Sequence, residues 1–133
     1  MKKLSIVILA LMLASSCKKE KSKAQLSGTF TGTFYQTQTG VTTQSAALPV
    51  QVIISGNNFA TGIGEHYYTV GDGTLEVSDD VLDFTNKDAF PANTQFNSSA
   101  ALHDSYHYTI KGDSLLFNRT EAAGTAIYKL KKQ

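Results

Sequence analysis

Apolar residues recur at every second position, in runs of four to nine broken by glycine turns, and no stretch carries a helical period. That pattern constrains the chain more than any other feature, because period two places one face of a strand against a core and the other in water. Leu26, Gly28, Phe30, Gly32 and Phe34 fall on one face, with Ser27, Thr29, Thr31 and Thr33 on the other. Leu48, Val50, Val52 and Ile54 form the next set, and Pro49 sits where a strand start tolerates it. Ser55-Gly56-Asn57-Asn58 is a turn, after which Phe59-Ala60-Thr61-Gly62-Ile63 runs back. His66–Val70, Thr74–Val77 and Val81–Thr85 read as further strands. Asn86–Asn97, with Pro91, is the least regular part, and a loop that long predicts a strand somewhere in Thr94–Leu102. Ser105–Ile110, the Lys111-Gly112-Asp113 turn and Ser114–Asn118 make the clearest hairpin, and Thr125–Leu130 closes the chain.

Hairpin-length turns imply antiparallel neighbours, since parallel pairs need long crossovers. An open sheet would leave two unpaired edges, and closure removes them. The expected fold is therefore all-β, an antiparallel up-and-down β-barrel of about eight strands, with a β-sandwich as the alternative. Two glycines on the inward face of the first strand weaken it in isolation. They fit a sharp bend, or a backbone or large ring packed close.

The chain has 133 residues, enough for one core. Met1-Lys2-Lys3 followed by the apolar run Leu4–Leu13 has the length of a secretory leader and is too short to span a bilayer. Ala14-Ser15-Ser16 then ends on Cys17, the only cysteine, which excludes an internal disulfide framework and any multi-cysteine metal site. Small residues running into that cysteine resemble a bacterial lipobox. The resemblance implies cleavage before Cys17 and a diacylglyceryl thioether with an acylated amino terminus on it. Two or more acyl chains hold stably where one binds reversibly. The division that follows is a lipoprotein signal peptide over 1–16, a lipidated cysteine and basic tether over 17–25, and a barrel domain over 26–133. The tether carries Lys18, Lys19, Lys21 and Lys23 against Glu20. From Leu26 onward there are six basic and ten acidic side chains, so the body is net negative, about −4. Neither half carries a nucleic-acid footprint.

Leu26-Ser27-Gly28-Thr29-Phe30 is similar to the Gly-x-Trp first-strand signature of lipocalins and related calycins, with Phe30 in the place of Trp. The repeated strand, Gly-Asp or Gly-Asn turn, strand unit resembles the short lipocalin-like lipoproteins of diderm bacteria, as does the ending Tyr128-Lys129-Leu130-Lys131-Lys132. The resemblance implies a barrel with an apolar cavity, anchored in the cell envelope, on the outer membrane.

Residues that could do chemistry are scattered. His103 and His107 would converge on a metal from a helix, but in a strand they stand about 13 Å apart at ~3.3 Å per residue, too far for one ion. Asp72, Glu76, Asp79, Asp80 and Asp83 lack the spacing of a calcium loop and are explained by turns and solubility. There is no Gly-x-Ser-x-Gly elbow and no phosphate-cradling glycine loop before a helix. The expectation is binding without catalysis, with no cofactor and no metal. The candidate ligand residues are aromatic: Phe30, Phe34, Tyr68, Tyr106 and Tyr108, facing a pocket for a small hydrophobic or amphiphilic molecule, with hydroxyls to orient it. The gaps at Gly28 and Gly32 would give it space. The competing expectation is a filled barrel whose outer loops, notably Asn86–Leu102, meet an envelope protein partner. Asp113-Ser114-Leu115 also matches a short bacterial O-glycosylation pattern.

Overall fold

The computed structural model describes residues 25–62, 64, 66–87 and 95–133. The leader, Cys17 and all but the last residue of the tether lie outside the described residues. Eight strands follow in chain order: β1 (Gly28–Gln38), β2 (Leu48–Ser55), β3 (Asn58–Thr61), β4 (Gly73–Val77), β5 (Val81–Asn86), β6 (Asp104–Lys111), β7 (Ser114–Glu121) and β8 (Gly124–Lys132). Each pairs antiparallel with the next, and β8 pairs with β1, so the sheet is a closed up-and-down barrel and not a sandwich.

The alternation in the sequence is what closes it. Phe30 and Phe34 of β1, Val50, Val52 and Ile54 of β2, Leu75 of β4, Leu82 and Phe84 of β5, Tyr106 and Tyr108 of β6, Leu115 and Phe117 of β7, and Tyr128 and Leu130 of β8 all turn inward and are buried. Each such side chain contributes ~1.5–3 kcal/mol on leaving water, and the threonines between them stay on the outer face. Gly32 is opposite Leu130 across the β1–β8 seam. A β-carbon there would overlap the Lys129 carbonyl oxygen and come within 2.8 Å of Leu130 Cα. Close approach of a neighbouring backbone, not vacant space, accounts for this glycine.

The two ends differ. At the lower end the turns 56–57, 78–80 and 112–113 are short, and the chain arrives from its N-terminal side beside the end of β8, where Lys132 Nζ donates to the Gln25 carbonyl at 3.4 Å. The upper end carries the long connections 39–47, 62–72 and 87–103. His66–Val70, which reads as a strand, is instead part of a connection laid over this end. Tyr68 makes single parallel bridges to Val50 and Gln95, while Thr69 and Val70 are both buried. The Thr61 hydroxyl holds it there, accepting from the Val70 and Gly71 amides at 2.7 and 3.0 Å. Between Asn86 and Leu102 the described part contains one 3₁₀ turn, Ser98–Ala100, rather than a strand. Asn86 Nδ2 donates to the Val70 and Leu102 carbonyls at 3.2 and 3.1 Å, so both long connections are tied to β5.

Candidate functional site

The barrel axis can be followed layer by layer through the strand register. Phe34, Tyr128, Phe117 and Tyr108 are successive cross-strand partners on β1, β8, β7 and β6. Their rings fill the middle of the lumen. Phe117 stacks on Tyr128 with centroids 4.6 Å apart, Phe34 lies 4.8 Å from Tyr128, and Tyr106 meets Phe84, Phe117 and Tyr128 edge-on at 5.4–5.7 Å. The Tyr128 hydroxyl donates to the Ala100 carbonyl at 2.9 Å, which pins the 3₁₀ turn over the ring layer, and it is also hydrogen-bonded to the Tyr106 hydroxyl. Burial pushes the Tyr106 phenol above its ordinary range and Tyr128 well above it.

Two residues further up, the inward set changes character. Gln36, Ala126 and Arg119 are mutual partners in the next layer, and Gln38, Gly124 and Glu121 in the one above it. Long polar side chains on β1 and β7 thus flank two small residues on β8. The result is a polar cleft of about 200 Å³ at the barrel mouth, lined by Gln36, Gln38, Ser99, His103, Arg119 and Glu121 among others.

Arg119 organises it. Its side chain is 17% exposed, its guanidinium carbon stands 5.2 Å from the Tyr106 ring centroid, and it closes the top of the aromatic plug. Nη1 donates to the His103 carbonyl at 2.8 Å and to Asp104 Oδ2 at 2.9 Å, and Nη2 pairs with Glu121 Oε1 at 2.9 Å. Nε is buried and has no partner among the described residues. Asp104 starts β6 in the left-handed region, φ +64°, a conformation that costs a non-glycine residue of order 1 kcal/mol and persists where surroundings impose it. Its carboxylate also lies 2.8 Å from His103 Nδ1. The hydrogen bond with His103, and after it the His103 and Arg119 charges, hold the Asp104 carboxyl below the usual carboxylate range in spite of some desolvation. Arg119, Asp104 and Glu121 together carry −1. Such a mouth repels anions and suits neutral or cationic polar groups that both donate and accept hydrogen bonds.

Of the residues the sequence put forward for a ligand, Phe30, Phe34, Tyr106 and Tyr108 lie in the packed core, and Tyr68 is half-buried against it. Phe34 and Tyr106 meet through Tyr128, and none of the five lines the mouth cleft. Cys17 lies outside the described residues. His103 joins the mouth cluster, whereas His107 points to the outside, 3.4 Å from Asp80. Among the described residues no three His, Cys, Asp or Glu side chains converge as a metal site. Apart from His103, the mouth residues escaped the sequence reading, although a signal was there. The inward series of β1 runs Phe30, Gly32, Phe34 and then Gln36, Gln38, while that of β7 runs Leu115, Phe117 and then Arg119, Glu121.

No family model matches the chain, and neither a curated protein nor a solved structure does.

Proposed function

We propose that this chain is a lipid-anchored protein of a diderm bacterial cell envelope, held at the outer membrane through acylated Cys17, whose lipocalin-like barrel binds a small polar ligand at its mouth and catalyses nothing. The supporting observation is the change from apolar to polar on the inward faces of β1 and β7, directly above rings that already fill the lumen. Phe34, Tyr106, Phe117 and Tyr128, with ring centroids 4.6–5.7 Å apart, occupy the space an apolar ligand would need beside them. The mouth, by contrast, offers carboxamides, a hydroxyl, a carboxylate and a buried guanidinium nitrogen around about 200 Å³. That volume is below the ~300–1,000 Å³ typical of pockets for drug-sized molecules. The ligand is accordingly small, hydroxylated or amide-bearing, and not anionic.

Anchoring fits the same geometry. The tether joins the barrel at the lower end, beside Lys132, and the mouth is at the upper end. An anchor at Cys17 therefore enters at the end of the barrel opposite the mouth.

Native mass spectrometry of protein purified from its own membranes tests the reading. Expected is a small polar adduct that disappears in Arg119→Ala. An adduct with the mass of a lipid that survives Arg119→Ala would place the ligand in the lumen instead and overturn the mouth site.

A second reading is favoured by Phe96, 60% exposed on the β5–β6 connection, and Val41, 48% exposed on the β1–β2 connection. Both are on the upper end, and with a filled lumen they suit contact with an envelope protein partner. Cross-linking from position 41 in intact cells separates the two readings: a specific protein adduct lost in Phe96→Ser supports the partner.

A further inference from the structure

The body is net acidic, but its charges are not mixed. Glu76, Asp79, Asp80 and Asp83 belong to β4, β5 and the turn between them. Of the five lysines in the body, Lys129, Lys131 and Lys132 are on β8 and Lys111 ends β6, with Asp113, just after Lys111, and Glu121, at the far end of β7, the acids nearest in sequence. In a ring of eight strands β4 and β8 are diametrically opposite. The barrel is therefore acidic on one flank and basic on the other, and the basic residues gather toward the lower end.

The basic flank also has shape. On the outer face of β7, β8 and β1 lies an open groove of about 430 Å³ whose outward side chains are Thr31, Ser114, Leu116, Lys129 and Lys131, while Leu115 and Leu130 face the core. Leu116 is 38% exposed and sits directly opposite Lys129. Lys129 leans over the Tyr35 ring at 5.2 Å. One exposed leucine between two cationic side chains suits the head-group level of a phospholipid bilayer, with glycerol carbons against Leu116 and phosphate at Lys129 and Lys131.

We propose that this flank lies on anionic lipid, so that the barrel rests sidelong on the membrane through β7, β8 and β1 with the acidic β4–β5 flank turned to the aqueous side. The inference takes from the anchored reading only which surface is near. Residues 18–25 extend at most ~28 Å at ~3.5 Å per residue, and their end is at Lys132, so the basic flank is the part of the barrel that first meets lipid. Screening confines the attraction to about 8 Å at physiological salt, hence contact and not distant steering is required. The acidic flank opposite is repelled from the same surface and fixes which side faces down.

The test uses residues 18–133, which hold every strand and the whole core, with Lys18, Lys19, Lys21 and Lys23 changed to Gln so that the tether cannot bind on its own account. Co-sedimentation is measured with vesicles of phosphatidylcholine, with and without phosphatidylglycerol. Expected is binding to the anionic vesicles alone, weakened roughly five-fold for each of Lys129→Gln and Lys131→Gln and abolished by raised salt. Leu116→Ser lowers it further, and Glu76→Gln with Asp83→Asn does not lower it. Equal binding of wild type and the Lys129→Gln, Lys131→Gln pair, or no binding to anionic vesicles, overturns the proposal. Because the chain tested lacks Cys17, either outcome is independent of whether that residue is acylated.

Discussion

Gly32→Ala decides whether the seam between β1 and β8 is as tight as the register implies. Two effects of opposite sign compete. Replacing glycine by alanine in extended backbone restricts the unfolded chain and ordinarily stabilises by ~0.4–1 kcal/mol. Here the new methyl would overlap the Lys129 carbonyl oxygen and come 2.8 Å from Leu130 Cα, and both are backbone atoms held in a nine-residue pairing. Neither can swing aside as a side-chain end would, so β8 has to move away from β1 over several hydrogen bonds. Overpacking of this kind costs ~1–3 kcal/mol, which outweighs the entropic gain. The net loss is about 1–2 kcal/mol, and Tm falls by roughly 4–8 °C per kcal/mol for a domain near 100 residues. Thermal melts of residues 18–133 followed by far-ultraviolet circular dichroism give the answer. Gly112 is the control, because it has φ +56° and nothing within 4 Å of where a β-carbon would be. Gly112→Ala loses only what the left-handed backbone costs, about 1 kcal/mol, and Gly112→Asn recovers most of it. Gly32→Asn recovers nothing. A Tm for Gly32→Ala at or above wild type would refute the close-approach argument and return this position to the free space a ligand could use.

Tyr128→Phe removes the hydroxyl that the Ala100 carbonyl accepts from and should cost ~1–3 kcal/mol for an unsatisfied buried acceptor; the urea midpoint falls at unchanged m, and an unchanged midpoint would mean water replaces the bond. The same phenols predict alkaline sensitivity. Free tyrosines in the unfolded chain ionise near pH 10 while buried Tyr106 and Tyr128 stay protonated, so the unfolded state holds fewer protons and stability falls as pH rises beyond that point. Tyrosinate absorbance should then show Tyr106 and Tyr128 titrating only as the barrel unfolds, and reversible ionisation of all six tyrosines in folded protein would contradict it. Cys17→Ala should abolish palmitate labelling and release the protein from the membrane fraction, and labelling that persists would remove the anchor.

The strands were legible because each needs only a local pattern: apolar, polar, apolar between turn residues. β6 is found within a residue of where the pattern puts it, and β7 starts at Ser114 as expected but runs three residues beyond Asn118, to Glu121. His66–Val70 failed because its alternation is satisfied by burial against the barrel end and by the Thr61 hydroxyl, not by a neighbouring ladder. Sequence pattern reports that a side chain is shielded and does not report what shields it. Gly32 carried both meanings, close backbone or vacant space, until the partner strand was known. For the same reason the aromatic residues could be assigned to the inside but not to lining or filling, since that difference depends on how far six rings from six strands reach across the axis.

The mouth follows from the same rule applied one step further. In a closed barrel of eight strands, residues two apart on one strand occupy successive layers of the interior. A layer is therefore read across strands, and its composition is set by residues distant in sequence. Gln36 alone is an amide near a strand end, and Arg119 alone is a cation in a hairpin. Only the pairing of both with Ala126 puts them in one layer around a small residue, where the space and the polar groups coincide. An Arg at that depth needs compensation, which Asp104 and Glu121 supply, and Asp104 reaches it from a backbone conformation that β-sheet would not adopt unaided. A lumen needing only to be filled would have continued the apolar series of β1 and β7 to the top. Replacing it with two polar layers forgoes apolar burial and adds the desolvation of a guanidinium, a cost that makes sense where those groups meet something other than the barrel itself.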